Sequence, residues 1–487
     1  MSIDNFRPQF HFTAAREWIN DPNGLVFFEG EYHLFYQTNP FGEQWGHMSW
    51  GHAVSRDLLN WEILPIAIAE DSRVSIFSGS VVVDTHNTSG LGDGVSPPLI
   101  AIYTGCLRRN EGGQAQEIAS SRDRGRTWVK YAGNPVLDLG LRDFRDPKVF
   151  WHEETARWVM LVALPHDGKL VFYASADLKS WHHLSDFHAG KTGEGILECP
   201  DIFMLPLENE APIWVLKIDV LEGHPSKGSG ARVFFGHFDG TQFTETRADA
   251  WVWADYGADF YAAISWANLP IADAVWIGWM NCHRYAKHTP TSPWRGAMGI
   301  ARTLRVRRHG EKFQLLQAPV AAVETLREQV FVTPAWSLDD DECNLIPSGT
   351  DARTLDLTLT CTHTTARECG VMVRVGEGCE TRVGYDAMRG VVFVDRSRAG
   401  FSPEDPHYKA RREAPCPAPS RVAPLRLRVL VDVCSLEVFV GDGEVVLTEQ
   451  IFPDAGSNGV KLYARGGVSD FGESAVWVLR DANRTMD

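Results

Sequence analysis

The sequence predicts an all-β fold, in which a five-bladed β-propeller is followed by a C-terminal β-sandwich. Short strand-like runs bounded by Gly, Pro, Asn and Asp dominate the chain, and helical periodicity is nearly absent. In the first two thirds of the chain, a polar cluster precedes an apolar strand five times. Alternating apolar runs then return between residues 355 and 480, with the regular turn spacing typical of a sandwich.

The five polar clusters define the predicted blades. They open the segments NDPNGLVFF, FSGSVVV, RDPKVFW, ECPDIFML and DFYAAISW. Their anchors, which lie 57, 68, 52 and 61 residues apart, are Asp21, Ser78, Asp146, Glu198 and Asp259. This spacing fits four-stranded blades with their loops. The innermost strand of each blade runs along the central axis, so we expect all five anchors at one mouth of the channel and the propeller over residues 1–317.

A second, weaker repeat predicts tight turns at the blade edges. It pairs a Ser-x-Asp turn with a following tryptophan in SRDLLNW at 55–61, SRDRGRTW at 121–128 and SADLKSW at 175–181. FDGTQF at 238–243 is a poorer fourth copy. In each copy the aspartate can accept backbone N–H groups of the turn, which makes a structural role the better interpretation.

The two predicted domains are joined by a short helical linker over residues 318–335. Pro319 suits the first turn of a helix, and Val320, Val323 and Leu326 recur three apart. The sandwich is predicted over residues 336–487, with a hairpin turn in GDGEVV at 441–446. We expect it to stabilise the propeller by packing, since no exposed aromatic platform for carbohydrate is identifiable in it.

Composition excludes several classes of function. The net charge is −16, whereas nucleic acid or an anionic membrane needs a basic face. The nine cysteines form no CxxC pair or zinc-ligand spacing, and no HExxH motif or EF-hand loop is present, so we expect free thiols, no metal and no cofactor. No run of 18 apolar residues suggests a membrane span. The N-terminus lacks a signal peptide pattern, which favours a cytoplasmic protein, or a secreted one if the start was trimmed. Oligomeric state has no signature.

Four of the five anchors are carboxylic acids, and three of them, Asp21, Asp146 and Glu198, indicate chemistry rather than packing because like charges repel. Glycoside hydrolysis needs a carboxylate and a carboxylic acid whose pKa values are pushed apart. Asp21, in WINDPNG, has a hydrogen-bond donor in Asn20 and should stay ionised. Glu198 precedes a thiol and a proline, and the charge of Asp21 should raise its pKa. Asp146, in RDP, should be kept ionised by Arg145 and accept bonds from sugar hydroxyls.

These motifs resemble those of glycoside hydrolase family 32, the invertases, inulinases, levanases and related fructosyltransferases. The likeness rests on WINDPNG, FSG at 77–79, RDP and ECP, and continues through residues 37–61, 255–263, 290–298 and 431–453. It implies a propeller joined to a sandwich, with Asp21 as nucleophile, Glu198 as general acid/base and Asp146 as transition-state stabiliser. It also implies that the fructosyl subsite is lined by Asn20, Gln37, Trp45, Phe77, Ser78, Arg145 and Trp294.

Two segments depart from the family pattern and leave the leaving-group side open. Lys217 and Asp219 stand where many exo-acting fructanases have uncharged polar residues, and NCHRYAKHT at 281–289 is also unusual. We expect both segments to line the outer pocket. The choice between sucrose, inulin and levan, between exo and endo attack, and between water and a sugar as acceptor stays open.

The alternatives to a retaining β-fructofuranosidase are a fructosyltransferase with the same site, an inverting arabinan-type hydrolase and a non-catalytic sugar-binding propeller. Retention requires carboxyl groups about 5–5.5 Å apart and inversion about 6.5–9.5 Å. We predict the short separation between Asp21 and Glu198.

Overall fold

The structure, a computed structural model, describes residues 6–108, 112–189, 196–247 and 250–482. Within these ranges the chain is built almost wholly from β-strands, which form five sheets up to residue 319 and two sheets beyond it. Residues 1–5, the start of the segment in which the sequence shows no signal peptide pattern, lie outside the described ranges. Among the described helices, none is long and apolar enough to cross a membrane.

The first five sheets are the blades of a propeller, each starting with its inner strand. Blade I contains β1 (Glu17–Phe28), β2 (Glu31–Asn39), β3 (Ser49–Ser55) and β4 (Trp61–Ile68). Blade II contains β5 (Val74–Val83), β6 (Leu99–Leu107), β7 (Gln114–Ser121) and β8 (Val129–Lys130). Blade III contains β9 (Arg145–His152), β10 (Arg157–Leu164), β11 (Lys169–Ser175) and β12 (His182–His188).

Blade IV contains β13 (Leu197–Leu205), β14 (Ile213–Val220), β15 (Gly230–Phe238), β16 (Phe243–Glu245) and β17 (Trp251–Trp253). The last segment of this region contains β18 (Tyr261–Ser265), β19 (Val275–Met280), β20 (Trp294–Arg295), β21 (Ala297–Met298), β22 (Arg302–His309) and β23 (Lys312–Pro319). All of these strands belong to blade V except β20, which pairs in parallel with β1 and so returns the chain to blade I. Each inner strand contacts the next, and β18 contacts β1, which closes the ring.

All five inner strands carry a β-bulge near their start, within the part of the chain that the structure describes. In each, two residues oppose one on the neighbouring strand: Asn20 and Asp21, Phe77 and Ser78, Asp146 and Pro147, Cys199 and Pro200, and Ala262 and Ala263. A bulge bends its strand and re-aims side chains, and prolines are tolerated there. The repeated polar clusters therefore become repeated bulges at one end of the channel.

The Ser-x-Asp boxes form the predicted turns between the third and fourth strands of blades I to IV. Asp57 accepts the backbone N–H groups of Leu59 and Asn60 at 3.0 and 2.8 Å. Equivalent bonds to backbone N–H groups are made by Asp123, Asp177 and, in the poorer fourth copy, Asp239. The structural interpretation of these boxes is confirmed.

The predicted linker is only partly helical. Residues Ala321–Leu326 form a 3-10 helix, but β24 (Arg327–Thr333) begins directly after it and pairs with β37 (Ser474–Leu479) of the sandwich. The short apolar repeat ends at Leu326, and strand pairing with the C-terminal strand then sets the conformation. The other described helices are also 3-10 turns: Glu153–Thr155, Pro165–Asp167, Ile271–Asp273 and Ala286–His288.

The C-terminal region is a sandwich of two antiparallel sheets around a shared apolar core. One sheet contains, besides β24 and β37, the strands β25 (Trp336–Asp339), β27 (Leu355–Thr364), β32 (Leu425–Asp432), β33 (Ser435–Val440), β34 (Val445–Gln450) and β36 (Val468–Phe471). The other contains β26 (Glu342–Asn344), β28 (Glu368–Gly376), β29 (Cys379–Asp386), β30 (Val391–Arg398), β31 (Arg412–Pro415) and β35 (Gly459–Arg465). The expected hairpin joins β33 to β34, with Val440 opposite Val445. All nine cysteines are free thiols in the structure.

Buried ion pairs fasten the sandwich to the propeller. His11 lies 2.8 Å from Asp432 and 2.9 Å from Glu437, and Arg302 binds Glu437 at 2.6 Å and Asp255 at 3.0 Å. Burial disfavours the imidazolium of His11, but the two carboxylates outweigh it and raise its pKa to about 9. The same pairing lowers the pKa of Glu437 to about 2, against the effect of its burial.

This pairing predicts a pH-dependent stability of the domain contact. Because the pKa of His11 is raised from 6.5 on folding, its contribution is full below about pH 6.5 and is lost as pH rises through about 9. We expect the thermal midpoint of the wild type to exceed that of His11→Gln most at pH 6 and least at pH 9.5. Thermal unfolding of both proteins across this range measures the difference. A difference that stays constant with pH would contradict the role given to His11.

Candidate active site

Asp21 is held at the bulge of β1 by donors from two strands. Ser78 Oγ donates to Asp21 Oδ2 at 2.6 Å, and Asn20 Nδ2 donates to Oδ1 at 3.1 Å. Asn20 is itself oriented by the indole N–H of Trp18, at 2.7 Å from its Oδ1. A carboxylate gripped in this way keeps a fixed orientation, which a nucleophile needs.

Glu198 lies directly before the bulge of β13 and meets two donors. Arg145 Nη2 lies 2.9 Å from Oε1, and the Tyr261 hydroxyl lies 2.6 Å from Oε2. Arg145 is in turn fixed by Asp143, with 2.7 Å between Nη1 and Oδ1. Tyr261 is buried and its ring meets His283 edge to face. Both oxygens of Glu198 are therefore positioned by residues of blades III and V.

Asp146 lies deeper than the other two acids and is 6% exposed. Burial raises its pKa to about 7, opposed by the Arg145 cation and increased by the charges of Glu198 and Asp21. Arg145 thus favours the ionised form, as expected, but does not overcome the effect of burial. The reason is geometric, because Arg145 lies 3.9 Å from Asp146 and makes its short bonds with Asp143 and Glu198.

Cys199 connects the acids through its backbone and its thiol. Its amide donates to Asp146 Oδ2 at 2.9 Å, and its Sγ lies 3.5 Å from Asp21 Oδ2 and 3.7 Å from Asp146 Oδ2. Burial and the charges of Asp146 and Asp21 raise the pKa of the thiol well above its usual value, so it remains a protonated donor. Cys199 therefore supports the site through hydrogen bonds to the two aspartates.

The three acids open into a cavity of about 410 Å³. Trp45 stands at its rim with half of its surface exposed, and its ring meets Phe77 edge to face, 6.1 Å between centroids. Gln37, on the floor, donates to Asn23 at 2.8 Å. The cavity is lined by Trp18, Asn20, Asp21, Gln37, Trp45, Phe77, Ser78, Gln114, Asp143, Arg145, Asp146, Glu198, Leu221, His283, Ala286 and Lys287.

Every residue predicted for the active site lines this cavity except Trp294. Trp294 is 1% exposed and belongs to a cluster with Tyr285, Tyr408 and Phe452, where the guanidinium of Arg7 stacks on its ring at 5.3 Å. Its strand, β20, pairs in parallel with the first residues of β1, which places the ring in the contact between propeller and sandwich. The structure gives Trp294 a packing position instead of a place at the sugar.

The two unusual segments have different locations. Residues 281–289 line the cavity as expected, through His283, Ala286 and Lys287. The expectation for Lys217 and Asp219 is wrong, because both are fully buried behind β13 and form an ion pair 2.8 Å long. Their strand, β14, is the second strand of its blade, so these residues lie beside β13, one strand further from the channel axis.

The fifth anchor, Asp259, also departs from the expected pattern. It is fully buried and accepts hydrogen bonds from Arg396 at 2.7 Å and from the backbone N–H of Gln450 at 2.8 Å, both in the sandwich. Tyr261, two residues later, takes the position at the channel mouth. Tyr261 is a site residue that the motifs did not predict. Its position two residues after the anchor Asp259 was a usable signal, because side chains two apart in a strand lie on the same side.

A larger cavity, of about 510 Å³, opens at the other end of the inner strands. Its lining residues include Trp151, Trp214 and Trp266, and none of the three acids reaches it. The catalytic candidate is therefore the smaller cavity. Among the residues that the structure describes, no group of three His, Cys, Asp or Glu side chains is arranged to hold a metal ion.

A five-bladed propeller with converging carboxylates at one mouth defines a glycoside hydrolase. Comparison with known proteins specifies the family. The family model "Glycosyl hydrolases family 32 N-terminal domain" matches residues 11–319, and the C-terminal model of the same family matches residues 322–478. The chain belongs to glycoside hydrolase family 32, as its motifs indicated.

Individual relatives agree with this assignment. A levanase of Bacillus subtilis is 44% identical over 472 residues, covering 95% of this chain and 69% of the levanase. An extracellular exo-inulinase of Aspergillus awamori is 36% identical, covering 96% of this chain and 93% of the inulinase. The crystal structure of exo-inulinase from Aspergillus awamori superposes with a TM-score of 0.91 at 34% identity, over 98% of this chain and 99% of that one. A Schwanniomyces occidentalis β-fructofuranosidase complexed with fructosyl-erythritol gives 0.87 at 28% identity, covering 99% of both chains.

The burial of Asp146 predicts an unusual titration. In protein with ¹³C-labelled aspartate carboxyl carbons, we expect two resonances to titrate near pH 7, those of Asp146 and of the buried Asp219, and the first of them to disappear in Asp146→Asn. In Arg145→Gln the midpoint of Asp146 should rise, because the lost cation favoured the ionised form. Asp57 serves as an internal reference, since turn hydrogen bonds outweigh its burial and lower its pKa. An Asp146 midpoint near 4 would show that burial does not control this carboxyl.

Proposed function

We propose that the protein is a retaining β-fructofuranosidase that releases terminal fructose from sucrose or fructans through a covalent fructosyl-enzyme. The observation that carries the proposal is the convergence of Asp21 and Glu198 on one cavity, each held by its own set of donors. The printed names of the relatives, levanase, exo-inulinase and β-fructofuranosidase, support a fructosyl substrate.

The chemistry follows from what each acid can do. Asp21 attacks the anomeric carbon of the bound fructosyl unit, while Glu198 protonates the glycosidic oxygen and the leaving group departs. Glu198 then takes a proton from water, which attacks the same carbon and releases Asp21. Asp146, behind the ring, accepts hydrogen bonds from sugar hydroxyls as oxocarbenium character develops, and in its protonated form it can first donate one. The short carboxyl separation required for retention is part of this proposal.

The reaction is tested by its products and by the two acids. We expect wild-type protein to release fructose from sucrose, inulin and levan, and Asp21→Asn and Glu198→Gln each to lower kcat by about a thousandfold or more. Chromatography of the products and ¹H NMR of the first-formed anomer give the measurements. Full activity in both variants would show that the site assignment is wrong.

Other product patterns would point to the alternative reactions. Oligosaccharides or difructose anhydrides in place of free fructose would indicate transfer to a sugar. Release of the α anomer of fructose from the β-fructoside as the first product would indicate an inverting mechanism.

Trp45 offers a second test because a half-exposed ring at the rim suits stacking on the apolar face of a sugar. Trp45→Ala should lower kcat/KM on inulin by about 10- to 100-fold, in line with ~1–3 kcal/mol for loss of an aromatic contact. Trp336→Ala is the matched control, since Trp336 is 55% exposed but lies in the sandwich. Steady-state kinetics of both variants provide the comparison. Equal losses in the two variants would remove Trp45 from the binding site.

A further inference from the structure

A buried ion pair lies directly behind the strand that carries Glu198. Lys217 and Asp219 project from the same side of β14, are fully buried, and have 2.8 Å between Nζ and Oδ2. In the register of β13 with β14, Asp219 is opposite Glu198 and Lys217 is opposite Asp201. The bulge residue Cys199 falls between these two positions, so the pair brackets it.

Lys217 also binds the bulge itself. Its Nζ donates to the carbonyl oxygen of Cys199 at 2.7 Å. Cys199 has a φ of 45°, in the left-handed region that costs a non-glycine residue energy. On its other side, the amide of Cys199 is bound to Asp146, so both flanking peptide groups are held. With these groups held, the thiol is directed towards Asp21 and Asp146.

Stability alone does not account for this ion pair. Removing two charges from water costs about as much as their attraction returns, so an apolar pair of the same volume is often equally stable or more so. Asp219 Oδ1 is moreover left without a hydrogen-bond partner among the described residues. The feature that sets this pair apart is what it binds, the Cys199 bulge next to Glu198.

We propose that Lys217 and Asp219 are positioning residues for hydrolysis, an inference that rests on the proposed function. In this arrangement the Lys217 ammonium group fixes the Cys199 bulge, and with it the donors that orient Asp21 and Asp146. Asp219 pairs with that cation, so that the charge of Lys217 does not act on Glu198 unopposed. Neither side chain touches the substrate cavity, so their effect passes through β13.

The charged groups around the pair define its effect on pH dependence. The charges that change the pKa of Asp219 are those of Lys217 on its own strand, Glu198 on β13 and Asp21 on β1. The charge of Asp219 in turn raises the pKa values of Cys199 and of Tyr261 on β18. Burial raises the pKa of Asp219 to about 7, Lys217 opposes this, and Asp21 and Glu198 add to it. Loss of its negative charge would make each neighbouring carboxylate easier to ionise.

The first experiment removes both charges without leaving one unpaired. In Lys217→Met/Asp219→Leu we expect kcat on sucrose to fall by about 10- to 100-fold while KM changes less than about threefold, because misplaced catalytic groups slow the chemical step. The thermal midpoint should stay within a few degrees.

The matched control is Lys148→Met/Asp201→Leu, which removes another buried Lys–Asp pair with 2.8 Å between its charges. That pair binds Ser265 instead of the Cys199 bulge, so kcat should fall by less than about threefold. If wild-type protein hydrolyses sucrose and Lys217→Met/Asp219→Leu keeps kcat within twofold, the positioning role is wrong while the proposed function stands. If wild-type protein hydrolyses no fructoside, the proposed function itself fails.

The second experiment uses the pH profile, which a purely structural role would not move. In Asp219→Asn the Lys217 cation remains and a negative charge is lost above the pKa of Asp219, so the basic limb of kcat/KM against pH should shift to lower pH by about 0.5–1 unit and the acid limb, where Asp219 is already protonated, by less. The Asp201→Asn variant, with the same charge change further from Glu198, should shift them less. An unshifted profile in folded Asp219→Asn, or equal shifts in both variants, would overturn the electrostatic part of the proposal.

Discussion

The bulge at the start of each inner strand is the feature on which the site depends. A regular strand alternates its side chains between two faces, so neighbouring residues cannot both face the channel mouth. Two residues opposing one breaks that alternation and lets Asn20 and Asp21, or Phe77 and Ser78, occupy the same mouth. Prolines follow the acids because the bulge leaves backbone groups unpaired there. Five repetitions of one local irregularity therefore build one pocket.

Bringing carboxylates together in this way creates an electrostatic cost that the surrounding residues offset. Arg145 meets Glu198 on the side of blade III, and Lys217 meets the same strand from behind. Asp146, buried between them with no short contact to a cation, responds by a raised pKa. The acids thus differ in environment although they occupy equivalent positions of the repeat, and this difference is what separates their chemical roles.

The sequence was sufficient for the parts that repeat. Strand patterns, anchor spacing and the Ser-x-Asp turns predicted the blades, and the motifs predicted Asp21, Asp146 and Glu198 at one mouth. It failed where the outcome depends on contacts between distant segments. Trp294 is kept out of the site by strand pairing at residue 17, and Lys217 and Asp219 lie one strand away from the channel because β14 is second in its blade. Periodicity within one segment carries no information about either contact.

Blade V shows how the sandwich reaches the site. Its anchor, Asp259, is bound by Arg396 and Gln450 of the sandwich, and Tyr261, two residues further on, bonds Glu198. In the fifth repeat, the anchor acid therefore attaches the blade to the second domain instead of lying at the channel mouth. Since Tyr261 fixes one oxygen of Glu198, the orientation of that acid depends on a strand whose start is held by the sandwich. The C-terminal domain thus contributes to the active site without supplying a residue to its cavity.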